Sequence, residues 1–394
     1  VNNVHKQTPA IILIIALVGF PQISESIFTP ALPNISNIML VSAKTSQLTM
    51  SSYFIGFALG VLFWGRLSDY FGRRPAMMLG IITYLIGNIG LLLSNNFTLF
   101  MTARIVQAFG AAAGSVITQT IMRESFSGIY GERVFAKVSA AMAISPALGP
   151  LLGGSLLSYF NNYHSIFKLL ITMSILLILS VAIKLPETRV INVIGTAIPW
   201  QTIALRMVKS PQVWVYCLII SGINGILFSY YAEAPFIFEN HFGLTSFQFG
   251  WLGLVVGVAS ILGAITTNRL AGKISSNNIV DLGLIISLIG ALSIFLTTNV
   301  LILLLISVFI TFVGINIALP IALSRALIGF EDVIGTASGL LSFIYYLVIS
   351  SFTFLMSFMH DGTVFALPRY LVIIISLMLI GKIFFNIKNR HKCK

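Results

Sequence analysis

The chain has 394 residues, of which 57% are hydrophobic and only 9% charged, and its mean hydropathy is +0.98. No soluble domain needs that much apolar sequence, and the apolar runs are long enough to cross a bilayer. The net charge of +12 does not point to nucleic acid, because the cations sit in breaks between apolar runs and form no basic face or stripe.

Twelve apolar spans follow one another, at about 9–31, 47–66, 75–94, 97–121, 134–159, 165–185, 211–235, 246–268, 279–298, 300–324, 334–358 and 365–386. The turn between the ninth and tenth falls at Thr297, Thr298 and Asn299. The first run leads directly into the rest of the bundle, so no cleaved signal peptide is expected. Val1 stands where Met is expected, as an alternative bacterial start codon translated literally would give.

With the N-terminus placed in the cytoplasm, nineteen of the 23 Lys and Arg fall inside, Lys6, Arg133, Lys388, Arg390, Lys392 and Lys394 among them. Lys44, Lys168 and Arg369 fall outside, and Arg104 lies within a span. This positive-inside bias puts both termini in the cytoplasm. Residues 191–210 are expected to be a cytoplasmic linker between two six-helix halves, 1–190 and 211–394. Cys217 and Cys393 lie far apart, and His5, His164, His241, His360 and His391 are scattered without ligand spacing. No disulfide, metal site or cofactor is expected.

Glu25 is the only acid of the first span, flanked by Pro21 and Pro30, which leave backbone carbonyls unpaired. A charge at mid-bilayer costs roughly 2.5–3.5 kcal/mol on insertion scales, so such a group calls for a partner or a cavity. Two readings follow: a site for a proton or a cationic substrate, or an acid that snorkels to the interface. Arg104 is the only base inside a span. By helical rise Glu25 lies about 24 Å from the cytoplasmic start of its span, and Arg104 about 11 Å from the periplasmic start of its own. Both thus fall at similar depth, within reach of each other directly, through water or through Gln107. A static structural ion pair is the bland alternative. In the second half, Glu233 is placed near the outer interface, about 33 Å along its helix. Gln107, Asn224, Tyr230, Glu233 and Asn316 are candidates for a substrate cavity, although Asn224 and Asn316 serve equally well as helix-to-helix hydrogen bonders.

Between the second and third spans, residues 65–75 read GRLSDYFGRRP, with Arg66, Asp69, Arg73 and Arg74 packed into a tight charged break. Gly65, Leu67, Asp69, Gly72, Arg73 and Arg74 make a G-x-L-x-D-x-x-G-R-R pattern. It resembles the signature that the major facilitator superfamily carries at this place. The run from Arg104 to Gly110 resembles that superfamily's R-x-x-Q-G-x-G signature, with Ala108 for the first Gly. Gly149, Pro150, Gly153 and Gly154 look like the core of the signature of its drug antiporters, whose upstream glycines are here Ala141, Ala143 and Ser145. The stretches 47–75, 104–126, 230–244 and 335–343 are similar to the bicyclomycin- and chloramphenicol-resistance branch of drug:proton antiporters, densely over about 25–155. That branch usually has Asp where Glu25 stands. The loop at 268–275, NRLAGKIS, sits where residues 65–75 sit in the first half and reads as a decayed internal repeat.

The resemblance implies a twelve-helix, all-α membrane transporter of a bacterial inner membrane. It would act as a monomer on a small molecule, with protons as the coupling ion. It also implies a cytoplasmic gate in which Glu124 meets Arg73 or Arg74 and Asp69 faces the start of the eleventh span. The alternative is a carrier dedicated to one metabolite, such as a siderophore, sugar or peptide. A membrane enzyme would need a nucleophile–base or metal constellation, and the sequence offers none.

Overall fold

The computed structural model of the chain describes residues 9–126, 128–189 and 199–392. Val1, His5, Lys6, Cys393, Lys394 and residues 191–198 of the linker expected at 191–210 lie outside the described residues. So do the side chains of Arg133, Ala143, Lys388, Arg390, His391 and Lys392.

The described elements are α1 (Ile11–Ser26), α2 (Leu32–Ile38), α3 (Ala43–Phe71), α4 (Arg73–Leu93), α5 (Phe97–Ser125), α6 (Gly128–Phe160) and α7 (His164–Lys184). They continue as α8 (Trp200–Val208), α9 (Pro211–Pro235), α10 (Ser246–Leu270), α11 (Ser276–Thr297), α12 (Leu301–Arg325), α13 (Ile334–Met359) and α14 (Ala366–Lys392). Among the described residues, eleven helical segments are long and apolar enough to cross a membrane, with α1 and α2 counting as one. The 33-residue α6 covers the fifth expected span, so each of the twelve expected spans falls on a helix. The turn expected at residues 297–299 lies between α11 and α12.

Contacts divide the chain into one unit of Val1–Val41 and Ser52–Ala197, and a second of Ser42–Ser51 and Ile198–Lys394. Within the first unit α1 packs on α5 and α6, and α4 on α5 and α7. Within the second α9 packs on α12 and α13, and α11 on α12 and α14. The pairing order of one six-helix half is therefore repeated in the other, as the internal repeat implies. The closest seams repeat too. A Cβ on Gly87 of α4 would lie 2.4 Å from the Gln107 nitrogen of α5, and one on Gly290 of α11 would lie 2.6 Å from the Thr311 nitrogen of α12. Such backbone contact requires small residues, and membrane helices rely on it because lipid supplies no hydrophobic drive for helices to associate.

Two breaks differ from expectation. The first span does not end at residue 31: α1 stops at Ser26, a 3-10 turn spans Thr29–Ala31, and α2 carries the segment on to Ile38. Pro30 and Pro33 cannot donate into a preceding helical turn, and the Thr29 hydroxyl takes up the freed Ser26 carbonyl at 2.8 Å. The second difference is the charged break. Residues 65–75 do not form a loop, because α3 runs through Phe71, α4 starts at Arg73, and the hairpin is Gly72 alone. Gly72 has φ +98° and ψ 164°, a region open essentially only to glycine. Pro75 sits in the first turn of α4, where its missing N–H is harmless. The free N–H groups of that turn are capped from afar: Glu187, just after α7, accepts from Arg73 N at 2.8 Å and from Arg74 N at 3.1 Å. A Cβ at position 72 would meet that carboxylate at 2.5 Å.

Gly72→Ala is expected to introduce about 1–3 kcal/mol of backbone strain and to lower the melting temperature of the detergent-solubilised protein. Adding Glu187→Ala relieves the crowding but not the positive φ, so the double variant should stay destabilised. A double variant that melts like the parent would contradict this.

Candidate functional site

Arg104, in the second turn of α5, is fully buried. Its guanidinium donates to the Ser24 carbonyl at 3.3 Å, to the Glu25 carbonyl at 3.2 Å and to the Gln107 side chain. It also lies over the rings of Phe28, at 3.9 Å, and Tyr53, at 4.3 Å. Gln107 passes the network on through Nε2 to Asn88 Oδ1 at 2.5 Å, and Asn88 in turn donates to the Tyr84 carbonyl at 3.0 Å. Hydrogen bonds to a charged group are each worth roughly 1.5–3 kcal/mol, and a desolvated cation over an aromatic face about 2 kcal/mol. Together these exceed the insertion penalty of about 2.5–3.5 kcal/mol for one charge.

Glu25 occupies the last turn of α1, next to the helix break, and is buried. Arg104 meets it through its backbone carbonyl. Among the described residues the Glu25 carboxylate joins no ion pair within 4.0 Å. Among the described residues, Ser24 Oγ, Tyr84 Oη and Arg104 Nε are buried without a hydrogen-bond partner.

The glycine–proline cluster of α6 bears on this same place. A Cβ on Gly149 would fall 2.0 Å from Ser26 Oγ, and one on Gly153 would fall 1.8 Å from the Ile27 carbonyl. Ser26 Oγ donates to the Pro146 carbonyl at 3.1 Å. Gly149, Pro150, Gly153 and Gly154 thus sit on the helix that presses against the α1 break directly after Glu25, with Gly149 and Gly153 at the closest approach.

At the far end of the same unit, Arg73 bridges two acids. Its guanidinium lies 2.5 Å from Asp69 and 2.7 Å from Glu124. Glu124 also accepts from Thr188 Oγ1 at 2.8 Å. Arg74 donates its side chain to the Ala182 carbonyl, and Gly65 supplies a carbonyl to Ser68 Oγ at 2.8 Å. The Asp69 side chain is 66% exposed and that of Glu124 only 17%, so solvent weakens the first pair far more than the second.

The candidates of the second unit do not form one cluster. Asn224 and Asn316 donate to the Ile220 and Phe312 carbonyls, each one turn back on its own helix, so neither forms the helix-to-helix hydrogen bond considered for it. Tyr230 is buried against Phe312, 5.1 Å between ring centres, with its hydroxyl unpartnered. Glu233 lies near the end of α9 and is buried, in contact with Gln47 and His360. Sequence reasoning missed Ser24, Phe28, Tyr84, Asn88, Gln47, His360 and Glu187. Of these, only Asn88, an amide inside an apolar span, carried a signal of its own.

Helices of membrane length, paired in two repeated sets around buried charges, define a multi-pass membrane protein. The chain belongs to the Major Facilitator Superfamily, whose family model matches residues 14–353. An uncharacterized transporter of Rickettsia felis is 33% identical over 408 residues, covering 99% of this chain and 100% of that protein. A chloramphenicol resistance protein of Pseudomonas aeruginosa is 29% identical over 79% of this chain and 74% of its own length. Among solved structures, a bacterial homologue of the human lysosomal transporter Spinster, inward-facing and unoccupied, superposes with a TM-score of 0.77 at 14% identity, over 96% of each chain.

Arg104→Lys is expected to lower the melting temperature more than Glu25→Gln does. A compact ammonium cannot reach two carbonyls and an amide at once, whereas the Glu25 carboxylate has no ion-pair partner to lose. Glu124→Ala should likewise destabilise more than Asp69→Ala. The reverse order in either pair, measured by thermal unfolding in one detergent, would contradict the geometry.

Proposed function

We propose that this transporter exports small, partly apolar compounds across a bacterial cytoplasmic membrane in exchange for inward-moving protons, with Glu25 as the proton carrier. The observation that carries the reading is the buried carboxylate of Glu25, held in place by its own backbone carbonyl on Arg104 and free of an ion-pair partner. A carboxylate so placed gains and loses a proton without dismantling its support. Arg104 then keeps the α1 break fixed and supplies the positive field that lets the carboxylate ionise when the cavity opens to water. The similarity to a chloramphenicol resistance protein supports an amphipathic cargo, as does the glycine–proline cluster packed behind Glu25. In this cycle Glu25 takes a proton from outside and substrate leaves. The two halves then exchange access, and the proton departs inside before substrate binds again. Arg73, with Asp69 and Glu124, acts as the latch of the cytoplasmic gate.

The test is substrate-induced proton flux in vesicles containing an internal pH dye, with a panel of lipophilic cations and neutral antibiotics. Several unrelated compounds are expected to move protons, and Glu25→Gln should abolish that movement while leaving a folded protein. Full proton flux in Glu25→Gln would overturn the assignment. A response to one compound alone would make this a carrier dedicated to that compound.

A further inference from the structure

Within the second unit three side chains from three helices converge out of solvent. Glu233 of α9 lies with Oε2 2.5 Å from Gln47 Nε2 of α3 and 2.8 Å from Nδ1 of His360, the residue that ends α13. Its Oε1 lies 2.9 Å from the same ring nitrogen. Gln47 and Glu233 are each 1% exposed. We propose that Glu233, His360 and Gln47 form a second proton-binding site, separate from Glu25, and that its proton occupancy sets how firmly the first turns of α3 are held to α9 and α13.

An ionised carboxylate only accepts and an amide nitrogen only donates, so His360 Nδ1, which also lies 3.3 Å from Gln47 Nε2, carries the proton that faces Glu233. With both ring nitrogens protonated, the site holds an imidazolium against a carboxylate and is neutral overall. Loss of one ring proton leaves a buried carboxylate facing a neutral ring, the arrangement that burial penalises most.

Residues of α13 next to the site join that helix to the first turns of α3. Ser357 donates to the Lys44 carbonyl at 2.5 Å, Ser350 to the Ser51 carbonyl at 2.8 Å, and Thr353 to Ser51 Oγ at 3.2 Å. Every one of these bonds comes from α13, and Gln47 adds the link to α9. The other charges that face His360 are Lys44 of α3, which lies 4.1 Å from the Phe358 ring centre, and Asp361 next to it. Asp361 is bridged to Arg369 at 2.7 Å. The hydrogen bonds of Thr363, helped by Arg369, pull the Asp361 carboxyl down to about 2, so it stays charged throughout.

Burial pushes the His360 ring down, but the hydrogen bond and charge of Glu233, with Asp361, outweigh burial and the opposing Lys44, and the ring titrates above the ordinary histidine value. A group raised on folding contributes its full stability below its ordinary value and loses it as pH rises through the raised one. The grip on α3 is therefore complete in mild acid and fades on the alkaline side of that value.

The experiment needs no transported compound, so it stands whatever becomes of the Glu25 assignment. The full chain in lipid nanodiscs, labelled with isotopic histidine, is titrated by NMR, with His360 identified by its loss in His360→Asn. In parallel, pulsed EPR follows the distance between nitroxides at Ala43 and Phe354, after replacement of Cys217 and Cys393. His360 is expected to titrate above the ordinary histidine value, and to fall by at least a full pH unit in Glu233→Gln. The EPR distance should be narrow in acid and broaden through the same midpoint, and it should be insensitive to pH in His360→Asn. A His360 midpoint unmoved by Glu233→Gln, or a distance independent of pH in the parent, would overturn the proposal.

Discussion

A guanidinium fully buried from solvent governs the first half of this molecule. Arg104 stays charged under essentially all conditions, so the chain must surround it with acceptors and ring faces or not fold into a bilayer at all. Two of those acceptors are main-chain carbonyls of α1, at Ser24 and Glu25. They lie within a turn of the break that follows Ser26, where prolines and the Thr29 hydroxyl end regular helix. The arginine therefore pins an irregular piece of backbone, and the acid carried on that piece is left with a side chain of its own to use. A direct Glu25–Arg104 ion pair would have tied up both charges. Contact through the backbone keeps one structural and the other available.

Close packing makes this arrangement rigid. Gly87 brings α4 onto the backbone of α5 at Gln107, the residue that relays Arg104 to Asn88. Gly149 and Gly153 bring α6 onto α1 at Ser26 and Ile27. In the second unit α11 and α12, the counterparts of α4 and α5, close through Gly290 and Gly314. Threonine and serine stand at those seams in place of glutamine and tyrosine. The repeat thus conserves the frame while the polar cargo of the frame differs, with a buried arginine in one unit and a buried acid–imidazole pair in the other.

How much of this was legible in the sequence depends on the range of the interaction. The twelve spans could be read because apolar length is a local property, and the signature of residues 65–75 placed them in a family. Glu25 and Arg104 stood out because charges are rare inside spans. Glu124 was expected to meet Arg73 or Arg74, and it pairs with Arg73. The break between the second and third spans was read as longer than it is, because a single glycine with positive φ, followed by a proline in a first helical turn, lets two helices meet with one residue between them. Glu187 gave no hint of capping α4, since a carboxylate after a helix reads as ordinary surface. His360 was passed over for lack of a neighbour at ligand spacing, and its partner lies 127 residues earlier. Tyr53 and Phe28 are ordinary residues of an apolar span until the fold brings a cation to their faces.

The claim on which the account rests is that the Glu25 carboxylate, buried and free of an ion pair, takes up and releases a proton while Arg104 stays in place. Infrared difference spectroscopy between acidic and alkaline samples of the membrane-embedded protein tests it most directly. The account expects a protonated-carboxyl band that vanishes in Glu25→Gln and shifts but survives in Glu25→Asp, with the guanidinium bands of Arg104 unchanged across the pH range. An unaltered carboxyl band in Glu25→Gln would contradict it.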